Sequence, residues 1–502
     1  MPAQHHAEAR APDLQRLVEE LCEHEMIPGM VVQLFYDGAV QQSAVAGAAN
    51  AETREPMSLD AVYQIGSISK TFTATLAYVL SEKGILPIET RIADVFPELL
   101  AAGRQEYRDV DIRMLLSHTT GMPYSPLTEP DDAFLQALGP DLQRRRHEYV
   151  RAALRDAPVG TPGGHYEYSG GTIILAAMME QRTKSSWEEL MEKHVLRPLG
   201  LARARPVPGW KGSRKRAWGH HSSGGKLRPA LFDHEMAVVH GPAGSMQMTA
   251  GELVHFAQAH FYNNPRRPQL LSRSSLTDMQ KRSSVGDSAN GWFVGWEGWS
   301  DYKTVWHGGD TSQARASLNF SPKYECAYTI LVNASNEATS AAMERVEREI
   351  KTFLGEHLEG RQPELALRGL AHKPIAVTAS SYFHNMDDYA PARATDGLLT
   401  TRWATDDELE QAWIEIDLGA VRPVGAVLIR EELSPRVSAF VLALKRGSGD
   451  AYSTVASGRE LGDEVVLQLS PTPARYVRLS LTAAHRGGPT ISELQVFENS
   501  PY

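Results

Sequence analysis

Between residues 13 and 25, apolar residues recur at the spacing of one helical face: Leu14, Leu17, Val18 and Leu21. The run GMVVQLFYDG follows, and its β-rich composition is matched by the segment VQQSAVAG a few residues later. Helical spacing indicates an amphipathic helix, whereas two β-rich runs separated by a short turn indicate a strand pair. The N-terminal region is therefore predicted to form a helix followed by a β-hairpin.

A second helical pattern covers residues 67–83, where SISKTFTATLAYVLSEK repeats apolar residues at helical intervals. Gly84 follows directly, and glycine is common just past a helix end. An amphipathic helix is predicted here. From about 90 to 300, helical stretches alternate with loops rich in Pro, Gly, His and Ser, such as SHTTGMPYSPLTEP, which favours a helical region carrying long functional loops.

Strand patterns return in the segments VWHGGD, ARASLNF and CAYTILVNA, and a helical run follows from about Glu337 to Leu354. The β-rich runs thus flank the helical region on both sides. We expect the two ends of this region to share one sheet and the last helix to close the first domain.

Beyond the polar stretch GEHLEGRQPELALRG, the pattern changes to short strands separated by turns: WIEIDLG, VGAVLIR, AFVLALKR, ARYVRLSL and ISELQVF. Short strands at this spacing indicate an antiparallel β-sandwich. We place the boundary near residue 365, which gives a first domain of 1–365 and a second of 366–502.

Composition limits which binding partners and which cellular location are expected for the protein. The 502 residues are 42% hydrophobic and 22% charged, typical of a globular chain with more than one core. A net charge of −10 and a pI near 6.0 argue against nucleic acid as a partner. Two cysteines cannot build a disulfide framework or a cysteine zinc site. The first residues lack both a secretory signal and a membrane-spanning stretch, so a full-length chain of this sequence is expected in the cytoplasm.

Candidate chemistry is concentrated at the start of the second helix, where Ser67 and Lys70 stand three residues apart and share one helical face. A serine hydroxyl is a weak nucleophile, and a neighbouring amine made partly neutral by burial can take its proton. The same S-x-x-K spacing occurs at Ser223 and Lys226, but two glycines between them predict a turn. Only the first copy therefore has the setting of a catalytic pair.

Five segments give this pair a wider context: YQIGSISKTFTATLAYVLSEKGIL, LLSHTTGMPY, PVGTPGGHYEYSGG, GPAGSMQMTAGELVHFAQAH and WHGGDTSQARASLNFSP. Their content and order resemble the class C β-lactamase and penicillin-binding-protein-like serine hydrolases over roughly residues 10–358. The resemblance implies an α/β fold, with an antiparallel sheet flanked by helices, a helical subdomain, and the active site at their junction.

The resemblance also implies catalytic roles. Ser67 is the expected nucleophile, Lys70 its proton partner, and Tyr168 the general base and acid, provided that cations such as Lys70 stabilise its phenolate. His307 stands where lactamases carry the lysine of a Lys-Thr-Gly motif. The backbone N–H groups of Ser67 and Asp310 are expected to form the oxyanion hole.

Two positions depart from the lactamase pattern. Gly170 replaces the asparagine that contacts the substrate amide in lactamases, and His307 replaces the lysine. Both changes weaken the case for β-lactam hydrolysis, while Gly170 and Gly309 remain candidate substrate-binding positions because glycine lets a ligand approach the backbone.

We therefore expect a serine hydrolase or transacylase that forms an acyl-Ser67 intermediate on a small ester, an amide or a D-amino-acid-containing peptide. Transacylation in natural-product metabolism is included, and catalysis is expected to need no cofactor. The alternative is a catalytically inactive lactamase-like scaffold joined to a carbohydrate-binding module.

The C-terminal segments VTASSYFHNMDDYAPARATDGLLTTRWAT, AWIEIDLGAVRPVGAVLI, ARYVRLSL and ISELQVFE resemble the discoidin, or coagulation factor type C, module over about 374–498. That resemblance implies a galactose-binding-like jelly roll with a possible carbohydrate partner. By the same analogy, Asp396, Thr401 and Glu493 are candidate oxygen ligands for a structural calcium. The alternative for Asp396 is that, with Gly397, it only makes a turn.

Overall fold

The computed structural model describes most of the chain, as these ranges: 11–24, 26–124, 138–206, 215–223, 226–230, 239–261, 269–283, 285, 288–295, 304–358, 370, 374–398, 401–431, 436–459, 461, 465–484 and 488–499. The chain divides into two units, Met1–Glu359 and Gly360–Tyr502. The boundary that the sequence places near 365 lies outside the described residues. Among the described residues, no helix has the length and apolar composition needed to cross a bilayer.

Strands at both ends of the first unit build its main sheet. The strands are β1 (Gly29–Tyr36), β2 (Ala39–Asn50), β3 (Glu55–Pro56), β4 (Tyr63–Gln64), β5 (Gly219–Ser223), β6 (Lys226–Ala230), β7 (Gln247–Met248), β8 (Phe293–Gly295), β9 (Thr304–Asp310), β10 (Arg315–Ser321) and β11 (Cys326–Val332). Seven of them form one antiparallel sheet in the order β3-β2-β1-β11-β10-β9-β8. Met30 of β1 pairs with Val332 of β11, which confirms that the two ends share one sheet.

Helices cover both faces of this sheet. They are α1 (Leu14–Cys22), α2 (Ser69–Glu82), α3 (Ile92–Val95), α4 (Pro97–Ala101), α5 (Ile112–Leu116), α6 (Leu142–Ala153), α7 (Gly171–Thr183), α8 (Trp187–Met191), α9 (Ala250–Gln258), α10 (Arg273–Met279) and α11 (Glu337–Leu358). Helices α1 and α11 pack on one face. On the other face α9 packs directly on β1, β10 and β11, and it shares one hydrophobic cluster with α2 and the helical region. The predicted α/β class with a helical subdomain is confirmed.

The N-terminal helix forms where the apolar spacing predicts it. Asp13 caps it by accepting a hydrogen bond from the Arg16 backbone N–H at 3.1 Å. Leu14, Leu17 and Val18 are buried against the sheet. The apolar spacing therefore predicted correctly both where α1 lies in the sequence and which of its faces is buried.

The prediction of an amphipathic helix at residues 67–83 is wrong in one respect. A 3₁₀ turn at Gly66–Ile68 precedes α2, and every residue from Ser69 to Leu80 is buried, so α2 is a central helix without a solvent face. Its polar side chains are satisfied inside the protein, as when Thr73 Oγ1 donates to the Pro242 carbonyl at 2.7 Å.

The second unit is an antiparallel β-sandwich, as predicted. Its strands are β12 (Ala376–Ala379), β13 (Trp403–Ala404), β14 (Ala412–Glu431), β15 (Val437–Lys445), β16 (Ser453–Gly458), β17 (Val465–Ala484) and β18 (Thr490–Phe497). They follow the order β13-β18-β14-β17-β15-β16, and β12 also pairs with β14. The segments WIEIDLG and VGAVLIR, expected as two strands, form the single strand β14, with its register against β17 shifting between Asp417 and Arg422.

Candidate active site

The proposed nucleophile lies on the 3₁₀ turn that leads into α2. Gly66 precedes it in a left-handed conformation with φ of 52°, and a Cβ at this position would lie 2.8 Å from the Asp310 backbone nitrogen. A Cβ on Gly309 would lie 2.0 Å from the Ile65 carbonyl oxygen. The end of β9 therefore packs directly on this turn, and this close approach requires both glycines.

That contact brings together the backbones of Ser67 and Asp310, the two residues predicted to form the oxyanion hole. The Asp310 side chain points to other partners: Oδ2 accepts from Ser335 Oγ at 2.9 Å and pairs with Arg315 Nε at 3.1 Å. Its carboxylate charge is thus neutralised beside the site. Asp310 can contribute its backbone without placing an uncompensated negative charge near a developing oxyanion.

Lys70 meets Ser67 as the helical spacing predicts. Its Nζ lies 3.3 Å from Ser67 Oγ and donates to the Ala243 carbonyl at 2.9 Å. Within the described ranges no carboxylate pairs with this amine, and burial lowers the pKa of Lys70 to about 7. A substantial fraction of Lys70 is therefore neutral near pH 7 and able to accept a proton.

Tyr168 completes the group around Ser67. Lys70 Nζ lies 4.8 Å from the centre of its ring, and Tyr168 and Ser67 line the same cleft. Burial raises the pKa of Tyr168 to about 12, so the phenol is neutral near pH 7. The structure thus brings together all three side chains that the sequence singled out.

His307 lies on β9, only 2% exposed, and lines the same cleft. Its Nδ1 is 2.6 Å from the Gly308 carbonyl oxygen. Burial, together with the charge of Lys70, lowers the pKa of His307 to about 3. The imidazole is therefore neutral, unlike the lysine that lactamases carry at the corresponding place.

Gly170 is not among the described residues that line this cleft, although the sequence suggested it as a substrate-binding position. It precedes α7, and a Cβ there would lie 2.2 Å from Tyr149 Oη. Glycine at this position makes room for a tyrosine side chain. Sequence reasoning had no signal for this contact, because Tyr149 lies on a separate helix.

The cleft has a volume of about 660 Å³ and extends well beyond Ser67. One part of its wall is aromatic: the Phe293 and Trp306 rings stack with centroids 4.6 Å apart. Another part is polar, with Ser317 Oγ donating to Glu347 Oε1 at 2.9 Å. A cleft of this size accommodates a substrate larger than a simple acetyl ester.

The candidate calcium ligands also converge in the second unit. Thr401 Oγ1 donates to Asp396 Oδ1 at 2.7 Å, while Asp396 Oδ2 and Glu493 Oε2 are both buried without a hydrogen-bond partner. Arg393 Nη1 lies 3.9 Å from Asp396 Oδ2. The pKa of Glu493 is raised to about 8, chiefly by burial and further by the charge of Asp396.

Two buried carboxylate oxygens without partners fit a hard cation such as Ca²⁺. Within the described residues, no group of three or more His, Cys, Asp or Glu side chains forms a metal site, so a calcium ion would need backbone or water oxygens as well. No contact in the structure bears on the predicted carbohydrate partner, which stays a prediction.

Comparison with known proteins agrees with this geometry. The family model described as beta-lactamase matches residues 14–351, and the chain belongs to this family of serine hydrolases. The model described as F5/8 type C domain matches residues 376–494, which identifies the second unit as a discoidin domain.

Individual relatives extend the comparison. The chain is 28% identical to penicillin-binding protein 4 of Amycolatopsis lactamdurans over 375 residues, covering 73% of this chain and 95% of that protein. Two solved structures share the fold. A D-stereospecific amidohydrolase from Streptomyces sp. is 21% identical with a TM-score of 0.54, and the match covers 67% of this chain and 98% of that one. EstCE1, a hydrolase with promiscuous acyltransferase activity, is 19% identical with a TM-score of 0.54, and the match covers 68% of this chain and 97% of that one.

Proposed function

We propose that the first unit is an acyl-transfer enzyme that forms a covalent acyl-Ser67 intermediate. One observation carries the proposal: a buried amine, Lys70, with a pKa near 7, lies 3.3 Å from the Ser67 hydroxyl. A neutral amine within hydrogen-bond reach is what serine needs to become a nucleophile near pH 7.

In the first step, the Ser67 hydroxyl proton moves to the neutral Lys70 amine while Oγ forms a bond to the substrate carbonyl carbon. The carbonyl oxygen takes the electron pair and is stabilised by the backbone N–H groups of Ser67 and Asp310. The intermediate then collapses: the bond between the carbonyl carbon and the leaving group breaks, and the leaving group takes the proton that Lys70 received, which restores the neutral amine. Water or an amine next bonds to the acyl carbon and gives a proton to Lys70; the bond between this carbon and Ser67 Oγ then breaks, and Oγ takes the proton back from Lys70.

Tyr168 acts in this scheme as a proton shuttle rather than as the first base. With a pKa of about 12, its phenolate is scarce near pH 7, whereas neutral Lys70 is abundant. A neutral phenol beside Lys70, in the cleft that Ser67 lines, is suited to pass a proton to the leaving group. The sequence-based requirement that Lys70 stabilise a phenolate is therefore not needed for acylation.

The substrate that we propose is a small ester, an amide or a D-amino-acid-containing peptide. Proteins of similar structure support this range, since they include a D-stereospecific amidohydrolase, a D-amino acid amidase and a hydrolase with promiscuous acyltransferase activity. A neutral His307 offers no fixed positive charge to a substrate carboxylate. This favours esters and amides over β-lactams, whose ring carries such a carboxylate.

Labelling tests the proposal directly. A serine-directed fluorophosphonate should add one adduct, located at Ser67, and Ser67→Ala should abolish both labelling and ester turnover while the melting temperature stays unchanged. Ser223→Ala is the matched control, because Ser223 belongs to the second S-x-x-K copy, on the β5–β6 hairpin where it pairs with Lys226. It should behave as the unmodified protein.

Intact-protein mass spectrometry after incubation with activated esters, D-peptides and β-lactams should then identify the acyl group from the adduct mass. Glycan binding with no covalent adduct from any of these reagents would overturn the proposal and support an inactive scaffold instead.

We propose, separately, that Asp396, Thr401 and Glu493 contribute to a calcium site in the discoidin domain. The proposal is supported by two buried carboxylate oxygens, Asp396 Oδ2 and Glu493 Oε2, that have no hydrogen-bond partner. Calcium titration of the full chain, followed by calorimetry, should reveal one site, and Glu493→Gln should weaken it. Absence of binding in the unmodified protein would remove the proposal and leave Asp396 as a turn residue.

A further inference from the structure

Two loops of the helical region are joined by a series of backbone hydrogen bonds. The segment SHTTGMPY spans residues 117–124, and the segment VGTPGGHYEYSG spans 159–170 and carries Tyr168. Four N–H groups of the second loop donate to carbonyl groups of the first: Val159 to Gly121 at 2.8 Å, Gly163 to Thr119 at 2.7 Å, Glu167 to His118 at 2.9 Å and Gly170 to Tyr124 at 3.2 Å. The position of Tyr168 is therefore set by the 117–124 loop.

His118 makes the contacts nearest to Tyr168. Its carbonyl oxygen accepts from the Glu167 N–H at 2.9 Å, and its Nδ1 accepts from the Ser169 N–H at 3.2 Å. One residue thus binds the backbone on both sides of Tyr168. The His118 ring also packs on the Tyr168 ring, with centroids 4.3 Å apart and planes at 33°.

The backbone of His118 is itself unusual. Its φ is 58°, in the left-handed region that a few per cent of non-glycine residues occupy, and the residue is only 4% exposed. A buried residue keeps such an unfavourable conformation only when contacts with the surrounding structure hold it there. The two hydrogen bonds to the Tyr168 loop are the interactions that the conformation makes possible.

We propose that His118 is a positioning residue for acyl transfer: its carbonyl oxygen and Nδ1 hold the backbone on either side of Tyr168, so that the Tyr168 side chain stays beside Lys70 in the cleft that Ser67 lines. This inference rests on the proposed function, since it assigns Tyr168 a part in moving the proton. His118 acts through Tyr168 and not on the substrate.

The hydrogen bonds define the form of the imidazole. Because Nδ1 accepts from the Ser169 N–H, the ring proton is on Nε2 and the imidazole is neutral. Burial, the largest cause, together with the charge of Lys70, lowers the pKa of His118 well below its ordinary value, which keeps it neutral. A neutral ring also adds no charge that would disfavour protonation of Lys70 during acylation.

Two substitutions separate the Nδ1 contact from backbone strain. Asparagine and glycine both tolerate a left-handed φ, but only the asparagine side chain places an acceptor oxygen where Nδ1 lies. We expect His118→Gly to lower kcat for an activated ester by about 10- to 100-fold, the effect of a misplaced catalytic group, with little change in KM. His118→Asn should remain within about threefold of the unmodified protein, by the same reasoning.

A buried histidine that does not line the cleft provides the control. His220 is fully buried, accepts from the Ala51 N–H at 3.0 Å through Nε2, and has Nδ1 2.7 Å from the Asn333 carbonyl oxygen. His220→Gly should lower the melting temperature yet leave kcat per folded molecule unchanged. This variant measures how much the loss of a buried histidine with two side-chain hydrogen bonds changes turnover through protein stability alone.

The outcomes are distinct. If the unmodified protein is not labelled at Ser67, the proposed function fails. If it is labelled and turns over, but His118→Gly and His118→Asn have equal kcat, the positioning role of the His118 side chain is refuted. A fall in kcat for His118→Gly that His118→Asn restores supports the inference.

Discussion

Lys70 in the first unit and Glu493 in the second are both ionisable groups buried so deeply that their pKa values move towards neutrality. Burial lowers the pKa of Lys70 to about 7. The pKa of Glu493 is raised to about 8, and burial is the largest of the causes. Their neighbours differ. Lys70 has the Ser67 hydroxyl and the Ala243 carbonyl as partners, whereas Glu493 has a second carboxylate, Asp396, close enough to act on its charge.

The difference shows how the same desolvation serves two kinds of site. A buried amine without a nearby carboxylate becomes a neutral base beside a hydroxyl, which is the condition for acyl transfer. Two buried carboxylates repel each other, and a cation relieves both the repulsion and the desolvation. Burial thus favours the proposed proton transfer in the first case and the proposed calcium binding in the second.

The largest effect is expected from removing the amine. Lys70→Ala should lower kcat for an activated ester by about 10³-fold, because the Ser67 hydroxyl loses its proton acceptor. Lys226→Ala, in the second S-x-x-K copy, should have no effect. Equal turnover for the two variants would contradict the comparison.

The pH profile tests the charge state of Lys70. Since only the neutral amine accepts the Ser67 proton, kcat/KM should rise about tenfold per pH unit below about pH 7 and then level off. Tyr168→Phe should lower the plateau without moving this lower transition. A flat profile from about pH 5 to 9 would show that Lys70 is not the titrating base.

The stability of the discoidin domain should vary with pH in the opposite sense. The pKa of Glu493 is about 8 in the folded state, whereas the ordinary pKa of a glutamate, expected in the unfolded state, is 4.5. Between these two pH values the folded state therefore binds more protons than the unfolded state. Without calcium, the free energy of unfolding should therefore fall as the pH rises from about 4.5 to 8.

Calcium should reverse this trend, because it binds the ionised carboxylate and stabilises the folded state. Calorimetric melts of the full chain across this pH range, with and without calcium, measure both effects. Glu493→Gln should remove most of the pH dependence, whereas Asp388→Asn, at a carboxylate that is 81% exposed, should not.

The smallest effect is expected at Thr401, whose hydroxyl orients Asp396 Oδ1 at 2.7 Å. Thr401→Val should weaken calcium binding by about fivefold, the equivalent of one hydrogen bond of about 1 kcal/mol. Isothermal titration measures the change. A loss of affinity as large as that of Glu493→Gln would indicate that Thr401 binds the ion directly.

Much of this arrangement could be predicted from local patterns. The spacing of Ser67 and Lys70 placed their side chains within reach, because a helical repeat fixes the relative positions of residues three apart. The β-rich runs that became β9, β10 and β11 were recognised from composition alone. In contrast, the turn expected between WIEIDLG and VGAVLIR is a register shift between Asp417 and Arg422 within β14, and the pattern could not show that pairing with β17 continues on both sides of it.

The sequence by itself determined the order of the elements, the two-domain organisation, and which residues could carry a serine acyl-transfer reaction, since these follow from local periodicity and from motif content. Only the tertiary structure decided that Lys70 has no carboxylate partner within the described residues, that Gly170 accommodates Tyr149, and that His118 holds the backbone around Tyr168. These properties depend on which distant segments meet, and charge state and orientation at a buried site are set by those neighbours rather than by the chain around each residue.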